Sequence, residues 1–278
     1  MGFCMGVRRA VDMAWRESGR DGSRVFTLGP LIHNPGVLGS LTERGVIILE
    51  PGEITDIPEN STVIIRAHGV SPAVERDLAR QGLRVLDATC PHVKASQNKG
   101  RELSREGFHV FLAGEKDHGE IIGIRSYVEG PCFVVANPVE AEKTASELAR
   151  NNPSAKTALI AQTTISQEEY FSIGEGIKRH FPELKIINTI CGATEERQNA
   201  LRELCSQVDG FVIAGGRESA NTRRLLSIAE SCGKKAWLVE DASGVPGEVS
   251  SCSVIGLAAG ASTPDSVIDA IEQKLLSL

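Results

Sequence analysis

Short apolar runs of strand character alternate with helix-length amphipathic segments along the whole chain. The runs are RVFTL (24–28), VIIL (46–49), TVIIRA (62–67), LRVLDA (83–88), HVFLAG (109–114), CFVVAN (132–137), TALIAQ (157–162), KIINTI (185–190), FVIAGG (211–216), AWLVE (236–240) and SVIGLAAG (253–260). A strand that returns to its sheet through a helix lies parallel to its predecessor. The pattern therefore predicts an α/β fold of largely parallel sheets with helices packed on their faces.

Composition narrows the function. The longest apolar run, Val254 to Ala261, is far short of the ~20 residues a membrane-spanning helix needs. The N-terminal MGFCMGVRRAV has no export signal, so a cytoplasmic location away from membranes is expected. Thirty Lys and Arg against 36 Asp and Glu give a net charge of −6, and aromatic residues make up only 4%. Neither a basic stripe nor stacking aromatics is present, so no nucleic-acid partner is expected. Seven cysteines, an odd number without an export signal, read as thiols or metal ligands rather than a disulfide framework.

Three cysteines share one context, each followed by residues that open a helix: GFC-MGVRRAVDMA at Cys4, DATC-PHVKASQNKG at Cys90 and NTIC-GATEERQNAL at Cys191. The spacing predicts a triplicated α/β unit, with lobes over 1–90, 91–190 and 191–278. Cys90 and Cys191 directly follow expected strands, whereas only three residues precede Cys4, so the first lobe lacks the corresponding strand. A thiolate at a helix N-terminus is stabilised by the dipole, which makes all three plausible metal ligands or nucleophiles. No C-x-x-C occurs, which argues against zinc ribbons and fingers. Three isolated cysteines meeting at one point could hold a four-iron cluster with one iron open to substrate. Cys132, Cys205, Cys232 and Cys252 are read as packing residues.

The ends of strands carry polar loops with glycine: RAHGV (66–70), GEKDHGE (114–120), AQTTIS (161–166), GGRESANT (215–222) and AAGASTP (258–264). Ligands of open parallel sheets bind there, where helix N-termini present free N–H groups. His33, His68 and His118 lie in such loops, while His92, His109 and His180 are expected in solvated or core roles. Ser219, Asn221, Ser262 and their neighbours read first as helix caps, and caps of this kind also present donors to an anion. No Walker loop or G-x-G-x-x-G motif gives support for a nucleotide.

Nine motifs, GFC-MGVRRA, LIHN, RAHGV, DATCPHVK, HGE, QTT, TICGAT-EERQ, ESANT and AGASTP, occur in the order and spacing of one family. Over residues 2 to about 265 the chain closely resembles the 4-hydroxy-3-methylbut-2-enyl diphosphate reductase family, IspH/LytB. The resemblance implies three α/β lobes, trefoil-like around a central cavity, with Cys4, Cys90 and Cys191 as ligands of a [4Fe-4S] cluster that keeps one iron open. It implies reductive dehydroxylation of 4-hydroxy-3-methylbut-2-enyl diphosphate to isopentenyl and dimethylallyl diphosphates, the last step of non-mevalonate isoprene biosynthesis.

By the same resemblance, His33, His68, Ser219, Asn221 and Ser262 match positions that hold the diphosphate, and Ala220 stands beside them where the family has a serine. His118 matches a further histidine at that end. Glu120 matches the proton donor and Thr163 the residue beside the substrate hydroxyl. A glutamate facing a diphosphate keeps its proton through like-charge repulsion and desolvation. Ferredoxin or flavodoxin is the expected electron donor.

Three departures stand out. The family's first strand normally precedes the GFC motif, Gly119 replaces a usual proline, and Ala220 removes one hydroxyl. Competing readings are an iron–sulfur hydro-lyase, which needs no reductant, and a non-catalytic iron–sulfur sensor.

Overall fold

The computed structural model describes residues 2–20, 24–50, 54 and 57–278. The chain divides into two compact units, residues 1–66 with 192–278, and residues 67–191. The first segment carries α1 (Met5–Ser18), β1 (Val25–Leu28), α2 (Pro35–Glu43), β2 (Val46–Leu49) and β3 (Thr62–Ile65). The middle unit carries α3 (Pro72–Arg80), β4 (Arg84–Asp87), α4 (Pro91–Arg105), β5 (His109–Ala113), α5 (Gly119–Arg125), β6 (Cys132–Val135), α6 (Pro138–Asn151), β7 (Thr157–Ala161), α7 (Gln167–Lys178) and β8 (Lys185–Ile186). The last segment adds α8 (Gly192–Leu204), β9 (Gly210–Ala214), α9 (Ala220–Ser231), β10 (Lys235–Val239), β11 (Ile255–Ala259) and α10 (Asp265–Leu276).

Strands of three sheets pair in parallel, as the alternating pattern predicts. The two-segment unit contains β2-β1-β3 and β10-β9-β11, and the middle unit contains β6-β5-β7-β8. Central strands β1, β7 and β9 are buried along their whole length because helices cover both faces. Successive side chains of β5 point to opposite sides. Phe111 and Ala113 pack with Tyr170 and Ile173 of α7, while Val110 and Leu112 pack with Leu103 of α4 and Ile121 and Ile124 of α5. In β9, Val212 and Ala214 face Ile268 and Ile271 of α10, whereas Phe211 and Ile213 face Leu201 of α8 and Leu225 of α9.

Helices start where the sequence supplies an acceptor. Asn34, Ser71, Asn137, Ser166 and Ser219 each accept a first-turn N–H on the side chain. Each such cap is worth about 1 kcal/mol. Proline opens α2, α3, α4 and α6, where the missing N–H costs nothing.

The run KIINTI does not form a full strand; β8 stops at Ile186. Side chains take over the backbone pairing. Thr189 Oγ1 accepts the N–H of Ala161 and donates to its carbonyl, both at 2.8 Å, and Asn188 Oδ1 accepts the N–H of Ile190 at 3.0 Å. Short polar side chains that bond nearby backbone compete with a ladder in this way. Among the other cysteines, Cys132 and Cys205 pack against cores, while Cys232, at the end of α9, is exposed. No described helix is long and apolar enough to cross a membrane.

Candidate functional site

The three cysteines singled out by their context are held in the same way. Each donates its N–H to the carbonyl of the residue two positions beyond a strand: Cys4 to Ala261 after β11 at 3.0 Å, Cys90 to Ala67 after β3 at 2.9 Å, and Cys191 to Thr163 after β7 at 2.9 Å. Cys4 and Cys90 are the N-caps of α1 and α4, neither making a side-chain capping bond, and Cys191 immediately precedes α8. All three are partly exposed and none forms a disulfide. Partly exposed thiols at helix starts suit soft-metal ligation.

Within the middle unit, His68, His118, Glu120 and Thr163 lie in the loops after strands or at the helix starts that follow them. His118 caps α5, its Nδ1 accepting the N–H of Glu120 at 3.2 Å. Its ring stands edge-on to that of His68 with centroids 5.3 Å apart. Glu120 lies in the first turn of α5 and is buried. Its Oε1 accepts the Thr163 N–H at 2.6 Å and its Oε2 accepts the Thr163 hydroxyl at 2.9 Å. Burial pushes the Glu120 carboxyl up to about 7, against the opposing pull of the two Thr163 hydrogen bonds. Gln162 braces the same loops, accepting the N–H of Glu115 at 2.9 Å and donating to Thr164 Oγ1 at 3.0 Å.

Sequence reasoning passed over Gln97. It is fully buried on α4, and neither polar atom of its carboxamide has a hydrogen-bond partner among the described residues. A Cβ at Gly69, whose φ is +75°, would lie 2.5 Å from Gln97 Nε2, and one at Gly123 would lie 3.0 Å from the carbonyl oxygen of His68. Gln97 thus underlies the His68 loop. The interior side of an otherwise polar helix was the only signal in the sequence that could have found it.

In the two-segment unit, Ser219, Ala220 and Asn221 occupy the start of α9, and all three are buried. Ser219 Oγ accepts the Thr222 N–H at 3.4 Å, so the helix-cap reading holds for it. Ala220 offers only backbone. The Asn221 carboxamide has no protein partner on either Nδ2 or Oδ1 among the described residues. The Ser262 hydroxyl donates to the carbonyl oxygen of His33 at 3.1 Å, and Gly216 approaches that oxygen so closely that a Cβ would come within 2.6 Å. The loops bearing His33 and Ser262 are thereby joined.

Parallel sheets whose strand ends carry polar loops, thiols and the buried acid Glu120 have the layout of a ligand-binding α/β protein of the enzyme type. Comparison gives the family. The model of the family described as LytB protein matches residues 1–276, and the chain belongs to that family. The 4-hydroxy-3-methylbut-2-enyl diphosphate reductase of Treponema denticola is 46% identical over 99% of this chain and 96% of its own length. That of Thermoanaerobacter pseudethanolicus is 38% identical over 99% and 93%. A solved (E)-4-hydroxy-3-methyl-but-2-enyl diphosphate reductase, the terminal enzyme of the non-mevalonate pathway, matches with a TM-score of 0.71 and 37% identity, covering 100% of this chain and 96% of that one. The E-1-hydroxy-2-methyl-but-2-enyl-4-diphosphate reductase of Plasmodium falciparum matches with a TM-score of 0.91 and 26% identity, covering 98% and 84%.

Proposed function

We propose that this chain reduces 4-hydroxy-3-methylbut-2-enyl diphosphate to isopentenyl and dimethylallyl diphosphates, the terminal reaction of the non-mevalonate pathway. The observation that carries the residue roles is the Glu120–Thr163 pair, a buried carboxyl pushed up to about 7 and bonded twice to one residue. The reaction takes up two electrons and two protons and releases the hydroxyl as water. Glu120 keeps its proton near neutral pH because a carboxylate there is poorly solvated. The Thr163 hydroxyl, 2.9 Å from Glu120 Oε2, passes a proton between that oxygen and the substrate's hydroxyl.

The diphosphate is held by His33, His68, His118, Ser219, Asn221 and Ser262, with the Ala220 N–H as a backbone donor. Support comes from the buried Asn221 amide, which has no hydrogen-bond partner among the described residues, and from the start of α9, where N–H groups favour an anion. His118 accepts on Nδ1, so its neutral ring carries the proton on Nε2, where it can donate to a phosphate oxygen.

Cys4, Cys90 and Cys191 are the ligands of a [4Fe-4S] cluster, which when bound supplies electrons singly and a Lewis-acidic iron. The donor set fits, being three partly exposed thiols at helix starts. Ferredoxin or flavodoxin delivers the electrons. The compartment is the cytoplasm, in keeping with seven cysteines outside any disulfide.

The test is an anaerobic assay with this substrate and a low-potential one-electron donor, alongside iron and sulfide content. Products that form only with reductant support the assignment. Loss of water without reductant would replace it with a dehydratase, and ligand binding without turnover would replace it with a sensor.

A further inference from the structure

Two of the thiol loops contain one local device. Asp87, three residues before Cys90, accepts the N–H of Thr89 on Oδ1 at 2.9 Å. Asn188, three residues before Cys191, accepts the N–H of Ile190 on Oδ1 at 3.0 Å. In both loops the next residue is the cysteine, whose own N–H is bonded to a carbonyl two positions beyond a strand, Ala67 or Thr163. A side-chain acceptor that closes on the amide two residues ahead fixes the intervening backbone. The cysteine therefore has two consecutive peptide N–H groups pinned, its own and the one before it, and this sets the direction of its Cα–Cβ bond.

The loops differ in charge. Asp87 Oδ2 lies 3.4 Å from Lys94 Nζ, and Lys94 also donates to Glu75 Oε1 at 2.8 Å, which accepts the Tyr127 hydroxyl at 2.8 Å. Lys94 stands one turn along α4, the helix that Cys90 begins, and its N–H donates to the Cys90 carbonyl at 2.9 Å. Asp87 is thus tied to the cysteine loop and, through Lys94, to the helix behind it. At the second loop a neutral carboxamide makes the same turn, and the Thr189 hydroxyl, bonded at 2.8 Å to both polar groups of the Ala161 backbone, supplies the anchor.

The geometry points to Asp87 and Asn188 as positioning residues that pre-set the Cys90 and Cys191 thiols for metal ligation. The inference rests on the ligand assignment above. Groups that hold first ligands in place typically cost 10–100-fold in metal affinity when removed. Chelator-driven iron release and the EPR spectrum of the reduced protein test it on the anaerobically prepared full chain.

Asp87→Ala and Asn188→Ala are expected to release iron about tenfold faster or more, with an altered spectrum. Asp87→Asn, which keeps the Oδ1 acceptor and loses the charge, is expected to restore slow release and the wild-type spectrum. Wild-type release and spectrum in both alanine variants overturn the proposal. Asp87→Asn as impaired as Asp87→Ala overturns the turn as the cause at Cys90. Should Asp87→Ala fail to fold, Asn188→Ala compared with Asn188→Asp carries the same decision at Cys191. A wild-type chain that binds no iron overturns the ligand assignment together with this role, whereas iron-loaded variants indistinguishable from wild type overturn the role alone.

Discussion

Thr163 grips both oxygens of Glu120, its N–H donating to Oε1 at 2.6 Å and its hydroxyl to Oε2 at 2.9 Å. Both bonds favour the carboxylate, yet burial outweighs them and the carboxyl is pushed up to about 7. Desolvation decides the resting state, and in the proposed mechanism the hydroxyl is the way out for the proton.

Removal of the acid has a catalytic and a thermodynamic consequence. Glu120→Gln should lower kcat by about 10²–10⁴-fold, with little change in diphosphate affinity. In the wild type, kcat should fall as pH rises through about 7, the Glu120 value, and Glu120→Gln should lose that limb. Because the folded-state value lies above the ordinary 4.5, the buried carboxyl costs nothing below pH 4.5 and penalises the folded state increasingly from 4.5 to about 7. Thermal melts at pH 4 and pH 8 should show Glu120→Gln gaining on wild type only at the higher pH, by on the order of 3 kcal/mol at most.

Thr163→Ala removes the hydroxyl bond that holds the Glu120 value down. The alkaline limb of the rate profile should therefore move to higher pH even as kcat falls. Thr163→Ser keeps the hydroxyl and should keep both the profile and most of the rate. An unmoved limb in Thr163→Ala would remove Thr163 from the proton path.

The proposed role of Asn221 in holding the diphosphate sets stability against ligand contact. Among the described residues its buried carboxamide has no hydrogen-bond partner, a cost of about 1–3 kcal/mol for a stranded polar group. Asn221→Leu, of the same branched shape and heavy-atom count, should raise the melting temperature of the ligand-free protein while raising KM for the diphosphate. A lowered melting temperature with unchanged KM would sever Asn221 from the ligand.

Gly69 is required on two counts. Its φ of +75° disfavours any side chain, and a Cβ would lie 2.5 Å from Gln97 Nε2 and 3.1 Å from Thr89 Cγ2. Gly69→Ala should destabilise the protein by about 1–3 kcal/mol, measurable by urea denaturation, and raise KM by displacing the neighbouring His68.

Strand and helix alternation, helix starts and the thiol contexts are written locally. Short, continuously apolar runs such as β5 and β9, caps such as Asn34 and Ser219, and prolines at the first helical position act over a few residues, so the amino-acid order alone determined parallel α/β layers and the helix-start placement of Cys4 and Cys90. The truncation of β8 needed the structure, because Thr189 displaces a ladder only when Ala161 lies beside it. The Glu120–Thr163 grip, the buried amides of Gln97 and Asn221 that find no partner among the described residues, and the closeness of Gly69 to Gln97 join segments distant in sequence or depend on burial. Desolvation and close contact are properties of surroundings. Only tertiary structure could decide them, since it alone determines which groups lose their water.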